Sequence, residues 1–155
     1  MIRAQLALAV FLVAQAPHSA EHHELVIDSC RTESGVTLPK ARIVYGTYGG
    51  LNAARDNAVL LPSHDMATHH GYEWLIGPDS NYRALDPSEL FLVATELFGN
   101  GYSSSPSNTP EPFHGPRFPI TTIRDNVEAV HRLLVDDLVE PTRSIRRAMI
   151  NRSMP

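Results

Sequence analysis

The chain predicts an α/β domain built on a mostly parallel sheet, and three observations carry that prediction. Two uninterrupted apolar runs, residues 58–61 (AVLL) and 90–94 (LFLVA), suit strands covered on both faces, as in a parallel sheet. Residues 120–138 repeat apolar side chains at Ile123, Val127, Val130, Leu134 and Leu138, the three- and four-residue spacing of an amphipathic helix. After two leading strands the elements alternate strand, helix, strand, loop, helix. That is the order of an α/β sheet with right-handed crossovers.

The first twenty residues stand apart from the rest. Arg3 precedes an almost wholly apolar stretch, residues 4–16, about as long as the core of a secretory signal. Ala14-Gln15-Ala16 has the small-x-small form of a cleavage site, with Pro17 directly behind it. Residues 1–20 are therefore read as a signal peptide, which places the mature chain in the periplasm or outside the cell. The alternative is a frayed helix on a cytoplasmic protein. His22-His23 reads as a solvated linker after the leader.

Residues 24–30 (ELVIDSC) and 40–48 (KARIVYGTY) read as two strands, the second rich in β-branched and aromatic residues. Ser34-Gly35 between them makes an antiparallel pair the expectation. A third strand covers 57–64 and a fourth 90–98. Between these, 71–77 (GYEWLIG) reads as a short helix whose Trp74 and Leu75 pack on the sheet. Residues 100–119, rich in Pro, Ser and Gly, read as a long loop of the kind that is functional or disordered. In the helix at 120–138, Thr122 and Asp125 have the spacing of a capping box, with Asp in the usual place of Glu or Gln. Pro141 marks its stop.

Composition excludes several function classes. Of the 155 residues, 43% are hydrophobic, which argues against a disordered chain. The net charge of −4 disfavours a dedicated nucleic-acid binder and a polybasic membrane-surface protein. Cys30 is the single cysteine, so neither an intrachain disulfide nor a Cys-only zinc site is available. No run reaches the roughly 18–20 apolar residues of a membrane span.

His64, Asp65, His69 and His70 cluster just beyond the third strand, where ligands bind in α/β sheets. Their spacing matches no common zinc pattern, so hydrogen-bonding histidines that shape a turn are the expectation over a metal site. Tyr48-Gly49-Gly50 lacks the spacing of a dinucleotide loop, and no Gly-Lys-Ser/Thr phosphate loop occurs. Ser103-Ser104-Ser105 reads as a flexible polar loop rather than a nucleophile.

Four stretches together resemble the N-terminal part of a homoserine O-acetyltransferase-like α/β-hydrolase. They are LPKARIVYGTYGGLNAARDNAVLLPSH, GYEWLIG, LDPSELFLVATELFGNGYSSSP and RFPITTIRDNVEAVHRLL, in continuous order over about two-thirds of the chain. The resemblance implies an α/β-hydrolase fold with leading strands before the mostly parallel sheet. It also implies a triad in the order Ser, Asp, His and an acyl-enzyme intermediate. The family's nucleophile sits on a sharp strand-to-helix turn after the long helix. Ser153 falls on that position, with Asn151 and Pro155 where the family has glycines. Met66, in His64-Asp65-Met66-Ala67-Thr68, falls on the loop whose backbone N–H helps hold the oxyanion. There the acetyltransferases have a pattern similar to His-Ala-Leu-Thr-Gly; His64 matches it and Met66 replaces Leu.

The resulting expectation has three segments. Residues 1–20 are the leader, 24–138 the N-terminal part of the hydrolase domain, and 139–155 a divergent tail whose Arg143-Ser144-Ile145-Arg146-Arg147 is unlike the preceding chain. No Asp or His follows Ser153, so the chain is expected to be an incomplete, inactive acyltransferase or hydrolase. Its intact relative would act on a small-molecule acyl donor and acceptor. No metal or redox cofactor is implied, and acetyl-CoA would be a substrate. Marginal stability and self-association through an uncovered strand edge are expected. The alternative is a non-catalytic fragment or pseudoenzyme that acts as a binding module.

The leader has a direct test. Intact-mass analysis of protein expressed from the full gene should show exported material that has lost residues 1–20. Cytoplasmic material that keeps Met1 or Ile2 would refute the reading.

Overall fold

The computed structural model describes residues 20–76 and 84–139. The leader up to residue 19, Gly77 at the end of the short-helix segment, the tail 140–155 and Ser153 within it lie outside the described residues.

Four strands form one sheet: β1 (Glu21–Arg31), β2 (Thr37–Tyr48), β3 (Ala58–Pro62) and β4 (Phe91–Thr95), in the order β1-β2-β4-β3. The leading hairpin is antiparallel, as the turn residues predict, with Glu21 opposite Thr47 and Arg31 opposite Thr37. Its turn closes through Thr32 N–H to Val36 O at 2.9 Å. β1 begins at Glu21, so His22 and His23 belong to a strand and are not a linker. Each has a partner to hold it there: His23 stacks on Tyr45 and reaches the Thr47 hydroxyl at 3.1 Å.

The two apolar runs pair in parallel, Ala58 beside Phe91 and Pro62 beside Thr95, while β4 pairs antiparallel with β2. The five residues of β4 are all buried. Phe91 and Val93 face one layer, with Tyr45, Leu133 and Leu138. Leu92 and Ala94 face the other, with Tyr48, Ile76 and Leu85. β4 is thus covered on both faces, as its composition predicts. β3 differs: Ala58 and Pro62 are exposed and Leu60 is 37% exposed. The reason is that its even-numbered side chains face the groove beside α1, while Val59 and Leu61 pack on the other face; β3 is also an edge strand among the described residues. Phe91 N donates to Asn57 O and Ser63 N to Thr95 O, so the odd-numbered residues turn their backbone toward β4. Ala58, Leu60 and Pro62 then present theirs to the open edge. Pro62 has no N–H, and its carbonyl already accepts the Tyr72 hydroxyl at 2.8 Å.

The short helix is a single 3₁₀ turn, Glu73–Leu75. Trp74 does not pack on the sheet as expected, since it is 62% exposed, and Ile76 just after the turn is the buried residue instead. A three-residue turn can aim few of its side chains inward, and here the sheet-facing place falls to the bridge that Ile76 makes with Leu85. Helix α1 spans Ile123–Arg132 and continues in wider π-helical winding over Leu133–Val139. Its capping box forms with Asp in the N3 place. Asp125 N donates to the Thr122 hydroxyl at 3.3 Å and Thr122 N to Asp125 Oδ2 at 2.8 Å. The other oxygen of Asp125 accepts Glu33 N at 2.8 Å, which ties the helix to the leading hairpin's turn.

This anchoring rotates the helix relative to its apolar stripe. Asp125, Ala129, Val130 and Leu133 are buried, whereas Ile123 and Val127 are 84% and 61% exposed. The exposed part of the stripe faces an apolar groove of about 490 Å³ between α1 and Leu60 and Pro62 of β3. The periodicity therefore records two packing surfaces, of which the described residues cover one.

The serine-rich segment is not a flexible loop. β2 outruns β4, which leaves the Arg42–Val44 backbone without a strand on that side. Ser104 Oγ accepts Arg42 N at 2.8 Å, Ser103 Oγ accepts Val44 N at 3.0 Å, and Ser104 N donates to Arg42 O at 2.9 Å. Ser103 and Ser104 are buried because they finish the sheet, and Ser105, also buried, fastens the following turn through Asn108 and Ser107. No helix of the described residues is long and apolar enough to cross a membrane.

Asp125→Ala should lower stability by about 1–2 kcal/mol, since it removes the cap and the acceptor of the part-buried Glu33 N–H. The exposed neighbour Arg124→Ala should stay within about 0.5 kcal/mol. Denaturant melts of the two variants check the contrast; equal losses would refute the tie between helix and hairpin.

Candidate active site

β3 and β4 run parallel, so their carboxyl ends open on the same side, and a crevice of about 690 Å³ lies there. One wall is the chain leaving β3, residues 63–68; the other is the chain leaving β4, residues 97–102. Neither wall has regular structure, so side-chain and turn hydrogen bonds must hold both.

The first wall is anchored at each end. Ser63 N donates to Thr95 O at 2.8 Å, and His69 N donates to Glu96 Oε1 at 2.7 Å. Between these anchors the chain turns tightly, with Ala67 N donating to His64 O. Met66 sits at the apex with φ +58°, a left-handed conformation that L-residues seldom adopt. Its side chain is fully exposed, and among the described residues its N–H has no hydrogen-bond partner. Strained backbone of this kind gathers at functional sites. Gly71 packs beneath the turn, where a Cβ would lie 2.7 Å from that of Ala67 and 3.0 Å from His64 Nε2.

The histidines divide among separate partners. His64 Nδ1 pairs with Asp65 O at 3.0 Å, and its ring meets Tyr72 edge-on. His70 Nδ1 pairs with Glu73 at 2.7 Å, and Glu73 also accepts the Tyr48 hydroxyl at 3.0 Å. Burial would raise the Glu73 carboxyl, but the hydrogen bonds from His70 and Tyr48 outweigh it and hold the group below its usual range. Burial and the bond to Glu73 push the Tyr48 hydroxyl well above its ordinary value. His69 is 3% exposed, and its Nδ1 lies 2.7 Å from Glu96 Oε1. These histidines shape and fasten the turn, as the sequence leads one to expect. Cys30 lies in the core by Ile27 and Leu38, where burial raises its thiol pKa.

The structure thus places Met66 at the lip of the crevice, while Ser153 lies outside the described residues. Sequence reasoning missed Glu96, Asn100, Gly46 and His22. Glu96 carried a signal, since it is the only charged residue at the end of the apolar run LFLVATELF, and a charge there needs partners. His69 fits its place because Gly46 of β2 has no side chain. A Cβ on Gly46 would come within 2.9 Å of His69 Cδ2 and 2.6 Å of the Ala20 Cβ.

Comparison with known proteins gives a consistent result. The chain is 34% identical over 107 residues to a homoserine O-acetyltransferase of Chlorobium chlorochromatii, covering 66% of this chain and 30% of that protein. It is 36% identical over 104 residues to an ethyl acetate hydrolase of Pseudomonas veronii, covering 67% and 29%. The structure is similar to an acetylester hydrolase from Corynebacterium glutamicum with a TM-score of 0.66 and 30% identity, over 76% of this chain and 33% of that one. The chain spans about a third of the length of the relatives it matches. No protein-family profile matches it.

Gly46→Ala should crowd His69 and cost about 1–3 kcal/mol as overpacking. Thermal unfolding checks this, and an unchanged melting temperature would show that His69 has room to move.

Proposed function

Since the chain carries the N-terminal part of the α/β-hydrolase fold of homoserine O-acetyltransferases and acetyl esterases, we propose that its crevice is the oxyanion half of a serine acyl-transfer site. The observation that carries the reading is the Met66 N–H, without a hydrogen-bond partner among the described residues and held at a left-handed φ at the crevice. An N–H fixed in advance where negative charge develops stabilises an oxyanion without reorganising during the reaction.

Ser153 is taken as the nucleophile from the family resemblance of its position after the long helix. Asn126 near the start of α1 accepts Phe98 N beyond the end of β4, while Leu138 near the helix end packs by Phe91 at the start of β4. The helix therefore runs antiparallel to β4 and delivers the chain to the beginning of β3. Beside that point, among the described residues, the outer edge of β3 and the apolar groove next to it are open.

In this reading the Ser153 oxygen attacks the acyl carbon of an ester or of acetyl-CoA and gives its proton to a histidine base oriented by an aspartate. The Met66 N–H holds the oxyanion. The leaving alcohol or thiol takes the proton, and the acyl-enzyme passes its acyl group to a small hydroxyl acceptor or to water. The aspartate and histidine of the triad are not assigned among these 155 residues, and the 155-residue polypeptide by itself is proposed to be inactive. A second reading rests on the same open edge: without a covering strand, β3 takes a strand of another copy, and the chain acts by binding.

The 155-residue chain should turn over p-nitrophenyl acetate, or acetyl-CoA with homoserine, at background. Loss of triad members costs on the order of a millionfold. Residues 20–139 joined to the remaining two-thirds of the Corynebacterium acetylester hydrolase should hydrolyse p-nitrophenyl acetate. A folded but inactive chimera overturns the acyl-transfer reading. Full turnover by the 155 residues, abolished by Ser153→Ala, overturns the inactivity.

A further inference from the structure

One buried side chain touches both walls of the crevice. Glu96 follows β4 directly and is fully buried. Its Oε1 accepts two bonds from the first wall, the backbone N–H and the Nδ1 of His69, each at 2.7 Å. Its Oε2 accepts Asn100 Nδ2 from the second wall. Asn100 in turn gathers its own wall, since its Oδ1 accepts the N–H groups of Tyr102 at 3.0 Å and Ser103 at 3.2 Å. The far side of the His69 ring meets His22 of β1, Nε2 to Nδ1 at 3.4 Å, and Tyr102 edge-on.

We propose that Glu96 is a positioning residue, a clamp whose two oxygens set the spacing between the Met66 turn and the Asn100 turn. A buried carboxylate is costly unless its lone pairs are filled, so one missing donor raises the cost of the whole arrangement and the walls hold together or loosen together. Ser63 stands on the carbonyl of Thr95 and His69 on the carboxylate of Glu96. The arch that carries Met66 therefore rests on two consecutive residues, and its lean depends on where the Glu96 side chain is held. That the clamp serves acyl transfer rests on the proposed function; the clamp itself rests on these contacts alone.

The geometry specifies the variants. In Glu96→Gln the new amide presents N–H groups to the Asn100 amide, donor against donor. Turning Asn100 over would strip Tyr102 and Ser103 of their acceptor. Asn100→Asp sets two carboxylates against each other. Combining the two substitutions restores a donor facing an acceptor, with the donor now on residue 96.

Hydrogen exchange on the full 155-residue chain reads the result without any need for turnover, so an inactive chain leaves the test intact. Glu96→Gln should speed exchange about tenfold or more at the His69, Tyr102 and Ser103 amides while the β1–β2 ladder stays protected. Asn100→Asp, made in the second wall, should speed the His69 amide in the first, and the double variant should restore both. Should Glu96→Gln fail to fold, Asn100→Asp and the double variant carry the test. Unchanged wall amides in the single variants, an Asn100→Asp effect confined to its own wall, or a double variant no better protected than the singles would each overturn the clamp.

Discussion

The described structure depends on satisfying the backbone around Phe91–Thr95 without water. β4 is buried at every residue, so each of its N–H and C=O groups needs a partner in protein. β2 supplies one side and β3 the other. The two neighbours differ in length and direction, and most of the irregular structure follows from that mismatch. β2 continues past the end of β4, so the Ser103–Ser104 stretch must come back to complete it. β3 stops at a proline whose carbonyl is taken by Tyr72, so its outer edge stays short. Both turns that leave the carboxyl ends are therefore bound to β4 or to residues next to it, and the crevice forms between them.

A carboxylate at the end of such a strand is expensive to desolvate. The fold tolerates Glu96 because three donors converge on it and because Gly46 leaves room for the histidine that supplies two of them. The second carboxylate of the region, Glu73, is handled differently. It stays partly exposed and takes donors from His70 and Tyr48, which keeps it ionised and keeps Tyr48 protonated. The two carboxylates thus fasten successive residues, His69 and His70, whose ring centroids lie 4.1 Å apart.

The relatives that the chain matches include an acetyltransferase and ester hydrolases. They share with it a stretch that holds the leading hairpin, the first parallel pair and the helix that follows. At a strand end that stretch holds the Met66 turn, whose N–H is the proposed oxyanion donor. Among the described residues the outer edge of β3 is unpaired, and the exposed part of the α1 stripe, Ile123 and Val127, lies on the groove beside it.

The sequence by itself determined the element types. Period-two and all-apolar runs identify the strands, the Thr122–Asp125 spacing identifies the helix start, and the Ser34-Gly35 pair identifies the hairpin, because these signals are local. It also led to the turn that carries Met66, through the resemblance of residues 64–68. Only the tertiary structure decided which apolar run is covered. Residues 58–61 and 90–94 read alike, but coverage depends on which neighbour pairs with each edge, and that partner lies far along the chain. Likewise Ile123 and Val127 share a stripe with Val130, and the tie from Asp125 to Glu33, 92 residues apart, turns that stripe partly outward. Glu96, Asn100 and His69 form a site only because β4 brings the chain back beside β3. Hydrogen bonds between residues 27 positions apart leave no periodicity for a sequence to show.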